Sequence, residues 1–231
     1  AVEYARDDDD HDIIKALLQG GADVNGYGGF TSRPLHVASE LGHTSTIRLL
    51  LKSGANPHLC NRDGRTALHA AAQGRDCTAT VSVLLEAGAD PNAADTAGNT
   101  ALHCALLHHR SPAAIQLLLD GGANPRIRGS RGRSTLHHAL EDRNYTATVL
   151  SALLDAGADP NARNNQGETS LHYALGNLGC TTIILSTLLD AGADPNARNN
   201  QGETSLHYAV QRCSPSATQL LLKARADPDS R

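Results

Sequence analysis

Twelve histidines among 231 residues are the first feature with chemical potential. Imidazoles ligate metals and move protons near neutral pH, and His108-His109 and His137-His138 form adjacent pairs that invite a metal reading. On a helix, however, neighbouring side chains diverge by about 100°, so neither pair can chelate one ion. A zinc site also needs convergent ligands, and no such set is visible. The cysteines Cys60, Cys77, Cys104, Cys180 and Cys213 are odd in number, unevenly spaced and free of any Cys-x-x-Cys pair. That pattern argues against a disulfide framework or zinc knuckle and predicts reduced thiols in an intracellular compartment. Gly-rich phosphate loops after a strand and Ser-centred nucleophile elbows are missing, and carboxylates are scattered. The cluster 26–29 around Tyr27 lies where a turn is expected, without the strand–loop–helix context of a phosphate site. The residues therefore predict no enzyme, no metal and no cofactor.

Half of the histidines obey a rule of position. Leu35-His36-Val37-Ala38, Leu68-His69-Ala70-Ala71, Leu102-His103-Cys104-Ala105, Leu136-His137-His138-Ala139, Leu171-His172-Tyr173-Ala174 and Leu206-His207-Tyr208-Ala209 place them 33, 34, 34, 35 and 35 residues apart. Between them runs a second signal, Leu-Leu-x-x-Gly-Ala-Asp/Asn, beginning at Leu17, Leu50, Leu84, Leu118, Leu153 and Leu188. A variant with Arg225 in place of the Gly begins at Leu221. From each Gly of this signal to the next motif histidine is always 15 residues, whereas the return interval is 18, 19, 19, 20 and 20. The constant interval predicts a hairpin that fixes register between neighbours. The variable one contains the turn between two helices, where insertions bulge into solvent.

Each unit thus reads as a helix pair whose Leu, Ala and Ile recur at helical spacing on one face. Gly ends the second helix in a left-handed cap, and Pro57, Pro91, Pro125, Pro160 and Pro195 prevent its resumption. Neither helix face is covered inside its own unit, so units must stack. Residues 153–174 and 188–209 are identical over 22 positions, the mark of a duplication.

These alternating motifs resemble the ankyrin-repeat family, whose unit of about 33 residues carries Thr-Pro-Leu-His-x-Ala and a second helix ending Leu-Leu-x-x-Gly-Ala-Asp. The resemblance covers essentially the whole chain. It implies an all-α ankyrin-repeat solenoid of about seven stacked helix–turn–helix units joined by β-hairpin-like loops. The expected array spans 1–231, with repeats near 1–25, 26–58, 59–92, 93–126, 127–161, 162–196 and 197–231, the first and last incomplete. It further implies that the motif histidines hydrogen-bond between repeats, and that a partner protein is bound through hairpin tips and exposed first-helix positions on a concave face.

Charge and composition point the same way. A formal net charge of −4, with its acidic excess concentrated in 7–10, invites neither nucleic acid nor an anionic membrane. The apolar runs are too short to span a bilayer, and no signal-peptide core is visible. The expected location is cytoplasmic or nuclear. Two features rise above a neutral surface. Arg126, Arg128, Arg131 and Arg133 crowd one hairpin, with Arg62 and Arg65 two hairpins earlier, a pattern suited to an acidic or phosphorylated segment; a merely solvated charged hairpin is the competing reading. The second is apolar: Tyr27, Phe30, Leu41 and Leu107 form either a hot spot or, for the two aromatics, a lid on the first repeat. The candidate functions are a protein-interaction scaffold, a recruiting module of a larger enzyme, ubiquitin-ligase adaptor or immune receptor, and an array that self-associates through its terminal repeats.

Overall fold

The computed structural model describes residues 8–27, 32–74, 77–108, 111–141, 147–176, 181–212 and 214–230. Two compact units, 1–123 and 124–231, are built from helices. The described residues of the first unit form α1 (Asp8–Gln19), α2 (Pro34–Leu41), α3 (Thr44–Lys52), α4 (Ala67–Gln73), α5 (Cys77–Glu86), α6 (Ala101–Leu107) and α7 (Pro112–Asp120). The second contains α8 (Thr135–Glu141), α9 (Ala147–Asp155), α10 (Ser170–Gly176), α11 (Thr182–Asp190), α12 (Ser205–Gln211) and α13 (Pro215–Lys223). There is no strand among the described residues.

Packing follows the linear logic of the repeat. In the first unit α2 rests on α3 and α4, α4 on α5 and α6, and α5 on α3 and α7. In the second, α10 rests on α8, α11 and α12, while α11 packs between α9 and α13. The core is aliphatic: Leu68, Leu84, Leu102 and Leu118 in the first unit, and Leu136, Leu153, Leu171 and Leu188 in the second, are fully buried. Each such side chain contributes about 1.5–3 kcal/mol by leaving water. The alanines Ala38, Ala71, Ala72 and Ala105 are also buried, which lets short helices approach closely.

Second helices end as the motif predicts. Gly54, Gly88, Gly157 and Gly192 take left-handed φ of 91°, 81°, 92° and 86°, and the following alanine N–H bonds back five residues, as Ala158 does to Leu153 at 2.9 Å. Arg225 adopts the same conformation, φ 67°, without the glycine that makes it easy.

Candidate protein-interaction surface

The first helices are seated by a side-chain device that also fixes the motif histidines. Thr66 caps α4 with its backbone extended, and both its N–H (3.1 Å) and its hydroxyl (2.9 Å) donate to His69 Nδ1. With Nδ1 accepting, the neutral ring carries its hydrogen on Nε2, which donates across to the Asn99 carbonyl at 3.0 Å. The same two-ended arrangement recurs at Ser134 and His137, bonding Glu168 O at 3.0 Å, and at Thr169 and His172, bonding Glu203 O at 3.1 Å. Burial holds these rings neutral: His69 and His172 titrate below the ordinary histidine value, and His137 is lowered to about 4. The histidines are therefore inter-repeat fasteners. Among the described residues no group of three or more His, Cys, Asp or Glu is placed to hold a metal ion.

Hairpin tips are shaped by an Asx-type turn. Asn61 Oδ1 accepts from Asp63 N and Arg65 N, both at 3.0 Å, and Asp95, Asn164 and Asn199 repeat the pattern. Gly64 closes the turn at φ 75°, where an added Cβ would also meet Thr96 N at 3.0 Å. Successive tips are laced by their backbones, Thr96 N to Asp63 O at 2.9 Å in one unit and Asn200 N to Gln166 O at 2.9 Å in the other. Gly129 occupies the Asx position of the arginine-rich hairpin, and there the chain forms a 3-10 turn over Ser130–Gly132. Arg131 consequently sits at φ 60° and is exposed at the tip, its carbonyl accepting from Asn165 N at 3.1 Å.

A second fastener, unforeseen in the sequence, lies just before several of the tips. Asn161 Nδ2 donates to Gly192 O at 2.9 Å while its Oδ1 accepts from Asp194 N at 2.7 Å. Asn25 does the same with Gly54 O and Asn56 N, and Asn196 with Arg225 O and Asp227 N. The only signal available beforehand was the recurrence of Asn two residues after the Asp of Gly-Ala-Asp.

The six arginines do not form one cationic surface. Arg65 Nε bonds the buried carboxylate of Asp95 at 3.3 Å and its Nη1 reaches Gln73 at 3.4 Å. Burial alone would raise Asp95, but the N–H groups of Asn99 and Ala97 together with Arg65 outweigh it and hold the carboxyl below its usual value. Arg126 Nε donates to Gly157 O at 2.7 Å, and Arg133 pairs with Glu141 while its guanidinium lies 5.6 Å over the Tyr173 ring. These three stabilise the hairpins they belong to. Arg62, Arg128 and Arg131 are exposed, with no side-chain partner among the described residues.

The apolar candidates separate as well. Tyr27 is 52% exposed, its hydroxyl 3.5 Å from Cys60 O and its ring capped by Arg33 at 4.2 Å, so it lies along the hairpin edge. Leu41 and Leu107 are exposed at the C-terminal ends of α2 and α6, and Phe30 lies outside the described residues. Other exposed large apolar side chains, Ile13, Leu17, Ile183, Val210 and Leu222, were not singled out by the sequence reasoning; Ile13, Leu17 and Val210 occupy helix positions that are buried in other repeats.

The sequence comparison is decisive at this point: a family model described as ankyrin repeats (3 copies) matches in overlapping windows, residues 2–95, 35–129, 78–164, 102–199 and 136–231. This chain belongs to the ankyrin-repeat family. The ankyrin domain of Bcl-3, a member of the IkappaB protein family, has a solved structure that superposes with a TM-score of 0.75 at 32% identity, covering 92% of this chain and 91% of that one. Among curated relatives, the Arabidopsis thaliana putative E3 ubiquitin-protein ligase XBAT34 is 44% identical over 66 residues, 28% of this chain and 18% of that protein. The Homo sapiens B-cell lymphoma 3 protein is 35% identical over 68 residues, 29% of this chain and 15% of that protein. The matched stretches are thus less than one fifth of either relative. Ankyrin repeats are protein-interaction modules. No helix among the described residues is long and apolar enough to cross a membrane.

Proposed function

We propose that this chain is a non-catalytic scaffold that binds a partner protein through its hairpin tips and first helices, with Arg128 and Arg131 directed at an acidic or phosphorylated segment. The observation that carries the reading is the division among the arginines. Arg65, Arg126 and Arg133 are engaged internally, whereas Arg128 and Arg131 share one hairpin, are exposed and have no internal counter-charge among the described residues. Two guanidiniums free to form paired N–H bonds suit carboxylates or phosphates. Arg62 presents the same chemistry on the first unit, and Tyr27, Leu41 and Leu107 supply apolar contact there. The reading includes no cofactor, no nucleic acid and no membrane, and a cytoplasmic or nuclear location.

The test is a fluorescent peptide of alternating glutamate and phosphoserine, titrated by anisotropy at several salt concentrations. Arg128→Glu with Arg131→Glu should weaken binding at least tenfold and flatten its salt dependence, as expected when two exposed cations each contribute about 1 kcal/mol or less and each replacement adds repulsion. Unchanged affinity and salt slope would remove this hairpin from the interface.

Two further readings rest on specific observations. Matches to ubiquitin ligases cover only a small part of those proteins, which favours a recruiting module serving a larger enzyme or adaptor. Exposed Ile13 and Leu17 on α1 and Val210 and Leu222 on α12 and α13 favour self-association through the terminal helix pairs. Sedimentation at several concentrations separates the latter: a constant monomer mass would dispose of it.

A further inference from the structure

A polar cleft of about 100 Å³ opens in the first unit, with Ser32, His36, Glu40, Asn61 and Arg65 in its wall. Its origin is visible by comparing equivalent places along the chain. Four residues before each motif histidine stands a hairpin-stem side chain, and four residues after it a side chain of the first helix. In three pairs the two meet: Arg65 with Gln73 at 3.4 Å, Arg133 with Glu141, and Glu203 with Gln211 at 3.2 Å. At α2 the pair is Ser32 and Glu40, and a serine is too short to bridge. Glu40 is exposed, with no partner among the described residues. The residue after the next motif histidine also shrinks, from the Tyr173 that underlies Arg133 to the Ala70 that lines this cleft.

His36, which also lines this cleft, carries a second unmet acceptor. His36 is 4% exposed, and its Nε2 bonds Arg65 O at 2.8 Å, so the hydrogen is on Nε2 and Nδ1 carries a lone pair. In the other repeats that lone pair accepts from Thr66, Ser134 or Thr169, but Arg33 holds the equivalent position here. Its guanidinium turns away to Asn25 O, Cys60 O and the Tyr27 ring. Among the described residues His36 Nδ1 is left buried without a hydrogen-bond partner. The one cation in the wall, Arg65, is already matched by Asp95 and Gln73. The exposed group left unmatched is therefore an acceptor, the Glu40 carboxylate, beside the buried His36 ring, in a space that the chain elsewhere fills with its own arginine.

We propose that this cleft receives the guanidinium of an arginine presented by a partner protein, pairing with Glu40 as the chain's own Arg133 pairs with Glu141. The proposal concerns a cation on the first unit and is independent of anion binding by Arg128 and Arg131. The probe is acetyl-Gly-Arg-Gly-amide, titrated by NMR into the full isotope-labelled chain, with lysine and glutamate analogues alongside. The arginine probe should shift the His36 ring and Glu40 carboxyl signals saturably, and more tightly than the lysine probe, because guanidinium offers a planar fork of donors. Glu40→Gln, a substitution at an exposed position that leaves the fold intact, should weaken it about threefold. Ser32→Arg should fill the cleft, abolish the shifts and raise the melting temperature. Absence of saturable shifts, equal binding of the lysine probe, preference for the glutamate probe, or indifference to Glu40→Gln would each overturn the proposal.

Discussion

His137 offers the sharpest test of how the repeats are fastened. Its ring is fully buried, accepts from Ser134 through Nδ1, donates to Glu168 O through Nε2, and stands edge-on to Tyr173 at 4.7 Å. Protonation would place a hydrogen on the nitrogen that already accepts two, and burial penalises the charge. The folded-state pKa accordingly falls from 6.5 to about 4. Above the unfolded value both states are neutral and stability is complete. As pH falls below 6.5 the unfolded chain takes up a proton that the folded chain refuses, so stability declines until the folded ring itself titrates near 4. A gap of about 2.5 units at about 1.36 kcal/mol each amounts to roughly 3 kcal/mol across that window. Urea unfolding of the full chain, followed by helical circular dichroism at a series of pH values, measures this directly. His137→Gln keeps an amide donor and a carbonyl acceptor but does not titrate. It should be less stable than the wild type near neutral pH and should lose stability more slowly on acidification, by about 1.4 kcal/mol per pH unit between about pH 6 and about pH 5. Parallel pH profiles for the two proteins would refute the assignment, since His36, His69 and His172 are lowered in the same direction and are common to both.

Other outcomes follow from the same contacts. Asn161→Ala removes a clamp that satisfies Gly192 O and Asp194 N; it should cost about 1 kcal/mol, read from urea midpoints, and speed amide exchange at Asp194. Arg225→Gly relieves a left-handed backbone at φ 67° and should add about 1 kcal/mol of stability, read as a higher melting temperature, whereas Arg225→Val should lower it. His207 Nδ1 accepts from Thr204, but no acceptor for Nε2 is described. His207→Ala should therefore destabilise the chain less than His172→Ala, whose ring bonds at both ends.

The fold was legible because two short motifs alternate and each records a local physical necessity. Leu68 and Leu102 are buried because Leu-His-x-Ala repeats on one helix face, and Gly157 is left-handed because a helix must stop there. The interaction surface was less legible, and Arg133 shows why. Exposed and bridging arginines share the same local pattern, and what engages Arg133 is Glu141, one helix further on, and Tyr173, in the next helix pair. Arg128, five residues earlier in the same hairpin, has no such neighbour among the described residues and stays exposed. Likewise the vacancy at His36 arises from two substitutions, Ser32 and Arg33, that acquire meaning only when the equivalent places in later repeats are seen filled. Composition cannot register a missing side chain; comparison among repeats can.

The central claim is that a partner protein docks on the tips and first helices. In-cell photo-crosslinking tests it most directly, with a photoreactive amino acid installed at Arg131 on the tip or at exposed Ser151 on the second helix α9. The account predicts a discrete protein adduct from position 131 and none from position 151. An adduct from 151 with none from 131 would contradict it.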